Sequence, residues 1–180
     1  MPRFRSCCSL LLWLTVAVSH AQAFRLITDN DSLSRLTLGS SEWPLPYPVY
    51  QFQTGDVDGD GRNEALVGVV KKTRFHQEKA LDGRSEHQMQ RRLFVFKDYH
   101  GLVRPLWLGS RLGGVLEDFR FTDGLVLTLE VTGPYRYSVG HYRWQHFGFG
   151  FEQYLVRDTT LQAARTIFDS RAQALPNKNP

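Results

Sequence analysis

From residue 24 onward, apolar positions fall in short runs at a spacing of two, broken by polar clusters rich in Asp and Gly. That is the pattern of strands joined by tight turns. The alternation is clearest over residues 139–155, where Phe147, Phe149 and Phe151 interleave with Gly148, Gly150 and Glu152, so the three rings are expected on one face of a strand. Further strands are predicted at 49–53, 65–70, 93–96, 102–108, 116–121 and 125–131, with turns at Tyr99-His100-Gly101 and Asp123-Gly124. The run Ala65-Leu66-Val67-Gly68-Val69-Val70 is apolar and β-branched enough to be buried. Only 159–174 has helical spacing: Leu161, Ala164 and Phe168 share a face, Asp158 or Thr159 is the expected cap, and Gln162 stands three places after Thr159.

Before residue 49 the pattern is weaker. Leu26, Ile27, Leu33, Leu36 and Leu38 are scattered among polar residues, which predicts one or two short strands around a turn at Asp29-Asn30-Asp31. Trp43-Pro44-Leu45-Pro46-Tyr47-Pro48 loses backbone donors at alternate positions and should be a stiff extended lead-in rather than a central strand. Residues 76–91 are polar and centred on Asp82-Gly83, as in a long exposed loop inside a hairpin. Residues 49–108 and 116–155 form a weak internal repeat of about four short strands each. The fold expected is therefore mainly β, with two propeller-blade-like antiparallel units or a small β-barrel, occupying residues 24–157 and followed by a C-terminal helix and frayed tail over 158–180.

Composition adds a compartment. The first 23 residues carry Arg3 and Arg5, an apolar run over 10–18 and Ala21-Gln22-Ala23, which together read as an export signal with its cleavage site. The expectation is a periplasmic or extracellular protein with no membrane span after cleavage. Both cysteines, Cys7 and Cys8, lie in that segment, so the exported chain has no thiol for disulfides, metal ligation or nucleophilic attack. Losing Arg3 and Arg5 takes two from the formal net charge of +4, and no block of Lys or Arg exceeds two residues. Nucleic-acid binding then has little electrostatic footing. At 42% hydrophobic and 22% charged residues, a disordered chain is excluded.

One segment carries specific chemistry. Asp56-Val57-Asp58-Gly59-Asp60-Gly61-Arg62-Asn63-Glu64 places carboxylates at loop positions one, three, five and nine, with a single arginine among them. Close pairs of such acids repel by roughly 1 to 4 kcal/mol, depending on screening. A hard divalent cation cancels that repulsion. Calcium suits the segment because it takes six to eight oxygen ligands in tolerant geometry, whereas magnesium demands a tight octahedron. Gly61 allows the sharp turn, and the backbone carbonyl of Arg62 is the expected ligand at position seven. An EF-hand is excluded, since its position twelve falls on Val67.

These residues resemble the calcium loop of FG-GAP repeats, the integrin-α propeller type also called VCBS-like, whose pattern D-x-D/N-x-D-G-x-x-D lies between two strands. Asp56, Asp58, Asp60, Gly61 and Glu64 carry the match, which covers about residues 52–70, with glutamate where aspartate is commoner. The second unit keeps only Thr122-Asp123-Gly124. The resemblance implies one structural calcium ion on a β scaffold. The whole chain also resembles small exported proteins of unassigned role found in Bacteroidota.

Other chemistry is thin. Trp107 and Arg111 on one arm, and Arg143 and Trp144 on another, interleave aromatics with cations in a way that can stack on sugars or hold acidic ligands, although such residues more often pack at a sheet edge. Lys71-Lys72-Thr73-Arg74 follows the strand after the acidic loop and reads as a solvated strand end. Gly109-Ser110-Arg111-Leu112-Gly113 is not a nucleophile elbow. His141 and His146 differ by five positions and cannot share a strand face, which argues against a zinc site. Glu117, Asp118, Glu130 and Glu152 are the carboxylates from which a glycosidase pair would be drawn. The reading is an exported, non-catalytic calcium-binding β module that engages a protein or glycan partner, possible as a subunit of an oligomer. The rival is a glycan-binding or glycan-cleaving protein built on Trp107 and Trp144.

Overall fold

A computed structural model of the chain describes residues 23–72, 89–109 and 112–174. Residues 1–22 of the export signal expected over 1–23, most of the loop expected over 76–91, Ser110 and Arg111, and the tail expected beyond the helix lie outside the described residues. Three short strands, β1 (Arg25–Asn30), β2 (Leu33–Leu38) and β3 (Ser41–Leu45), form a small antiparallel sheet in that order. Eight more follow: β4 (Val49–Gly55), β5 (Glu64–Lys72), β6 (Met89–Tyr99), β7 (Leu102–Trp107), β8 (Val115–Thr122), β9 (Leu125–Gly133), β10 (Arg136–Gln145) and β11 (Gly148–Thr159). A single helix, α1 (Leu161–Ala174), ends the described chain. The fold is mainly β with a C-terminal helix, as the alternation predicts.

The eight strands make two successive meanders, β4-β5-β6-β7 and β8-β9-β10-β11, each of four antiparallel strands. They join where the first half of β6 meets β8 at Arg91 opposite Leu116, while the second half of β6 pairs with β7. Met89, Gln90 and Arg91 therefore belong to a strand and not to the preceding loop. The terminal strands β4 and β11 do not pair, so the barrel alternative is corrected: no barrel closes. Two hairpins use residues suited to left-handed backbone. His100 and Gly101 have φ of 54° and 81°, and Asp123 and Gly124 have 47° and 74°, as a two-residue turn with two positive φ angles requires.

Alternation along the strands sorts side chains into three cores. Ala65, Val67 and Val69 of β5 and Phe94 and Phe96 of β6 face the small sheet, burying Phe24, Leu36, Leu38 and Leu45. The opposite side chains, Leu66, Leu93 and Val95, meet Leu116, Phe119, Val126 and Tyr142 of the second meander. The other face of that meander packs Leu127, Leu129 and Val139 against Ala164 and Phe168 of α1. Polar groups tie the layers together. Gln51 donates to the Phe119 carbonyl at 2.6 Å, Phe121 N–H donates to Gln53 Oε1 at 2.8 Å, and Arg165 of α1 pairs with Asp118 at 2.8 Å.

Three details differ from the sequence expectation. Residues 41–45 pair with β2 as an edge strand, where Pro44 opposes Arg35 and its missing donor is tolerated. The helix starts at Leu161, two residues late, because Asp158 belongs to the sheet: its N–H donates to Ser138 Oγ and its carboxylate accepts from Thr132. Thr160 caps instead, its Oγ1 accepting from Ala163 N–H at 3.3 Å, and Leu161 is exposed. Phe147 lies not in a strand but at the β10–β11 hairpin tip, 93% exposed, since Gln145 pairs with Gly148 and leaves His146 and Phe147 in the turn.

Candidate metal centre

The acidic loop is positioned by the β4–β5 hairpin. Gly55 at the end of β4 pairs with Glu64 at the start of β5, so both ends of the loop are fixed by a ladder. Its own carboxylates fold what lies between. Asp56 accepts the N–H groups of Gly59 at 2.8 Å and Gly61 at 3.0 Å, and Asp60 accepts that of Arg62 at 2.9 Å, the local side-chain to backbone bonds that make such turns. Gly59 and Gly61 have φ of 77° and 83°, a region costly for residues with a Cβ. Val57 is buried among Leu66, Val95 and Trp107, which draws the near side of the loop into the core between the meanders.

Glu64 is fully buried, and its Oε2 accepts the N–H groups of Val57 at 2.8 Å and Asp58 at 3.4 Å. Asp56, Asp58 and Glu64 each offer an oxygen within 4.8 Å of the others, a group that can hold a metal ion. Asp60, the third acid of the motif, is exposed and is not one of this trio. Two oxygens, Asp58 Oδ1 and Glu64 Oε1, are buried with no hydrogen-bond partner. Leaving such acceptors unmet is costly. Burial pushes the Glu64 carboxyl up to about 7, against the pull of its hydrogen bond from Val57.

A cation from elsewhere in the chain reaches the loop. Lys97 on β6 places Nζ 2.5 Å from Asp58 Oδ2, 2.8 Å from Asp60 Oδ2 and 3.9 Å from Glu64 Oε1. Partial burial lowers the Lys97 pKa, but its bonds to Asp58 and Asp60 outweigh that and hold it above the ordinary lysine value. The Lys97 bond is in turn the main reason that Asp60 stays below the usual carboxylate range. Sequence reasoning missed Lys97, which lies more than thirty positions beyond the loop. A signal was present: spacing by two puts Lys97 on the face of Leu93 and Val95, the face that Val57 joins.

The remaining candidates do not converge. Trp107 and Trp144 do come together, but around a ring: each meets Phe149 edge-on, at 5.1 Å and 5.4 Å. Trp107 is only 8% exposed, and its Nε1 lies 3.2 Å from where a Cβ on Gly148 would stand, so its indole is enclosed. Arg143, next to Trp144 on β10, points to the other face and meets Glu152 at 3.4 Å. Arg111 lies outside the described residues. Of the carboxylates considered for catalysis, Asp118 is held by Arg120 and Arg165, Glu152 by Arg143, and Glu130 is buried with its Oε1 accepting from Thr128 at 2.7 Å. Comparison of the chain with family models, curated proteins and solved structures returns no match.

Proposed function

We propose that residues 56–64 bind one calcium ion, with Asp56, Asp58 and Glu64 as the central carboxylates and Asp60 and the Arg62 backbone carbonyl completing the set. The observation that carries this reading is the pair of buried, unpartnered oxygens, Asp58 Oδ1 and Glu64 Oε1, beside the Asp56 carboxylate. An all-oxygen set on a loop favours a hard cation, and the irregular spacing favours calcium over magnesium. The ion is structural in this reading: it cross-links the loop to the start of β5 and stabilises the folded chain by binding it preferentially.

The protein then acts as an exported, non-catalytic β module whose surface engages a protein or glycan partner. Support for the binding role is the placement of the loop at one end of the β4–β5 hairpin, where a bound ion would stiffen the end of the sheet's terminal strand. Titration calorimetry with calcium tests the site. Binding in the micromolar to millimolar range, lost in Asp58→Asn and in Glu64→Gln, is the expected result, and no heat from the unaltered protein refutes it.

A further inference from the structure

We infer that Lys97 is a tethered competitor for the metal, so that loading the site exchanges one cation for another. This rests on the calcium reading above and adds to it how the site is regulated. The ammonium and an ion draw on the same carboxylates and the same space between them. Nζ already takes Asp58 Oδ2 and Asp60 Oδ2 and stands 3.9 Å from the buried Glu64 Oε1. An ion held by Asp58 and Glu64 would sit within a few ångströms of that positive charge, in a partly buried place where screening is weak.

The two cations are not equivalent. An ammonium has three protons to donate, and here it leaves Asp58 Oδ1 and Glu64 Oε1 without partners. A calcium ion accepts six to eight oxygens and can take in both. Lys97 therefore holds the loop together in the absence of metal without satisfying it. Its backbone is fixed, because neighbouring Phe96 is fully buried and paired with Ala65 and Pro105 on either side. The four-carbon stem is the part free to move, and a compact charge on a flexible stem suits displacement. The consequence is a threshold. At low calcium the loop stays folded around Lys97, and at high calcium the ion expels the ammonium, freeing a positive charge at the mouth of the loop.

Terbium luminescence and calcium calorimetry on the full exported chain, with and without Lys97→Met, test this. Removal of the ammonium is expected to tighten calcium binding at least tenfold and to lower the melting temperature in chelator. Lys97→Arg, which keeps the charge, should bind no tighter than the unaltered protein. Affinity unchanged within twofold, or weaker, in Lys97→Met overturns the competition while leaving the calcium site standing. No binding by either protein overturns the calcium reading itself and this inference with it. A second readout, independent of how Lys97→Met folds, uses the unaltered protein: acylation of Lys97, followed by mass spectrometry, should speed up severalfold when calcium is added. A rate unmoved by calcium that demonstrably binds contradicts the exchange.

Discussion

Glu64, the first residue of β5, accepts the N–H of Val57 through Oε2 at 2.8 Å and so holds the chain two residues past the end of β4. The bond is buried and closes the loop independently of any ion. Glu64→Ala removes the acceptor and leaves the buried N–H of Val57 without it, which costs about 1–3 kcal/mol for the unsatisfied donor alone. Urea denaturation in the presence of chelator should show that loss. Glu64→Gln keeps an acceptor oxygen for Val57 and should retain most of the stability while losing metal.

The glycines at the two ends of this region do different work. A Cβ on Gly55 would stand 2.1 Å from the ring of Phe121 in the second meander, so Gly55→Ala overpacks the contact between the meanders. Its expected cost is about 1–3 kcal/mol. A Cβ on Gly61 meets nothing within 4 Å, so Gly61→Ala suffers only from its left-handed backbone, about 1–2 kcal/mol. Calcium affinity separates the two by denaturation and calorimetry: Gly61→Ala weakens binding by misdirecting the loop, whereas Gly55→Ala lowers stability with affinity kept.

How far the chain could be read from its sequence follows from the range of each interaction. The second meander is legible because its strands are long, its turns carry Asp-Gly or lie at Gly, and its alternation is local. The acidic loop is legible for the same reason, since Asp56 to Glu64 are contiguous. Lys97 was not, because its meeting with Asp58 depends on the register of β5 on β6, in which Ala65 opposes Phe96. The small sheet was underread because its strands are five or six residues long and its burial comes from packing onto β5 and β6. The helix start was misplaced because Asp158, a good cap by type, is occupied by Ser138 and Thr132. That Arg143 and Trp144 diverge follows from strand periodicity alone.

Phe149 lies between Trp107 of the first meander and Trp144 of the second. The trio is a packing device between the meanders, and Phe149→Ala should destabilise the protein by about 3 kcal/mol, the lower end for a buried phenylalanine since the ring is only partly covered. Tryptophan fluorescence followed through a urea titration measures it, and a shift in the folded-state emission should accompany the loss.

Glu130 gives the fold a pH dependence. It is fully buried on β9, and burial raises its pKa despite the hydrogen bond from Thr128. Its Oε2 has no partner and faces the Gly113-Gly114 backbone beside the Tyr142 hydroxyl. A carboxyl raised in the folded state keeps its proton where the unfolded chain has lost it. Its contribution is therefore complete below the unfolded value near 4.5 and declines as pH rises through the folded value, with a slope of at most about 1.4 kcal/mol per pH unit. Glu130→Gln should flatten the fall in stability above pH 5, measured by urea denaturation across pH 5 to 8 with calcium saturating. An unchanged slope would show that Glu130 is not its source.

The most direct test of the calcium reading is the melting temperature of the unaltered protein in chelator and in calcium at about a hundredfold excess over its dissociation constant. Preferential binding at that level adds about 2.7 kcal/mol, which for a domain of this size is a rise of roughly 5–10 °C. Such a rise, absent in Asp58→Asn, is what a loop of unmatched carboxylates predicts. Superimposable melting curves in chelator and calcium would contradict it.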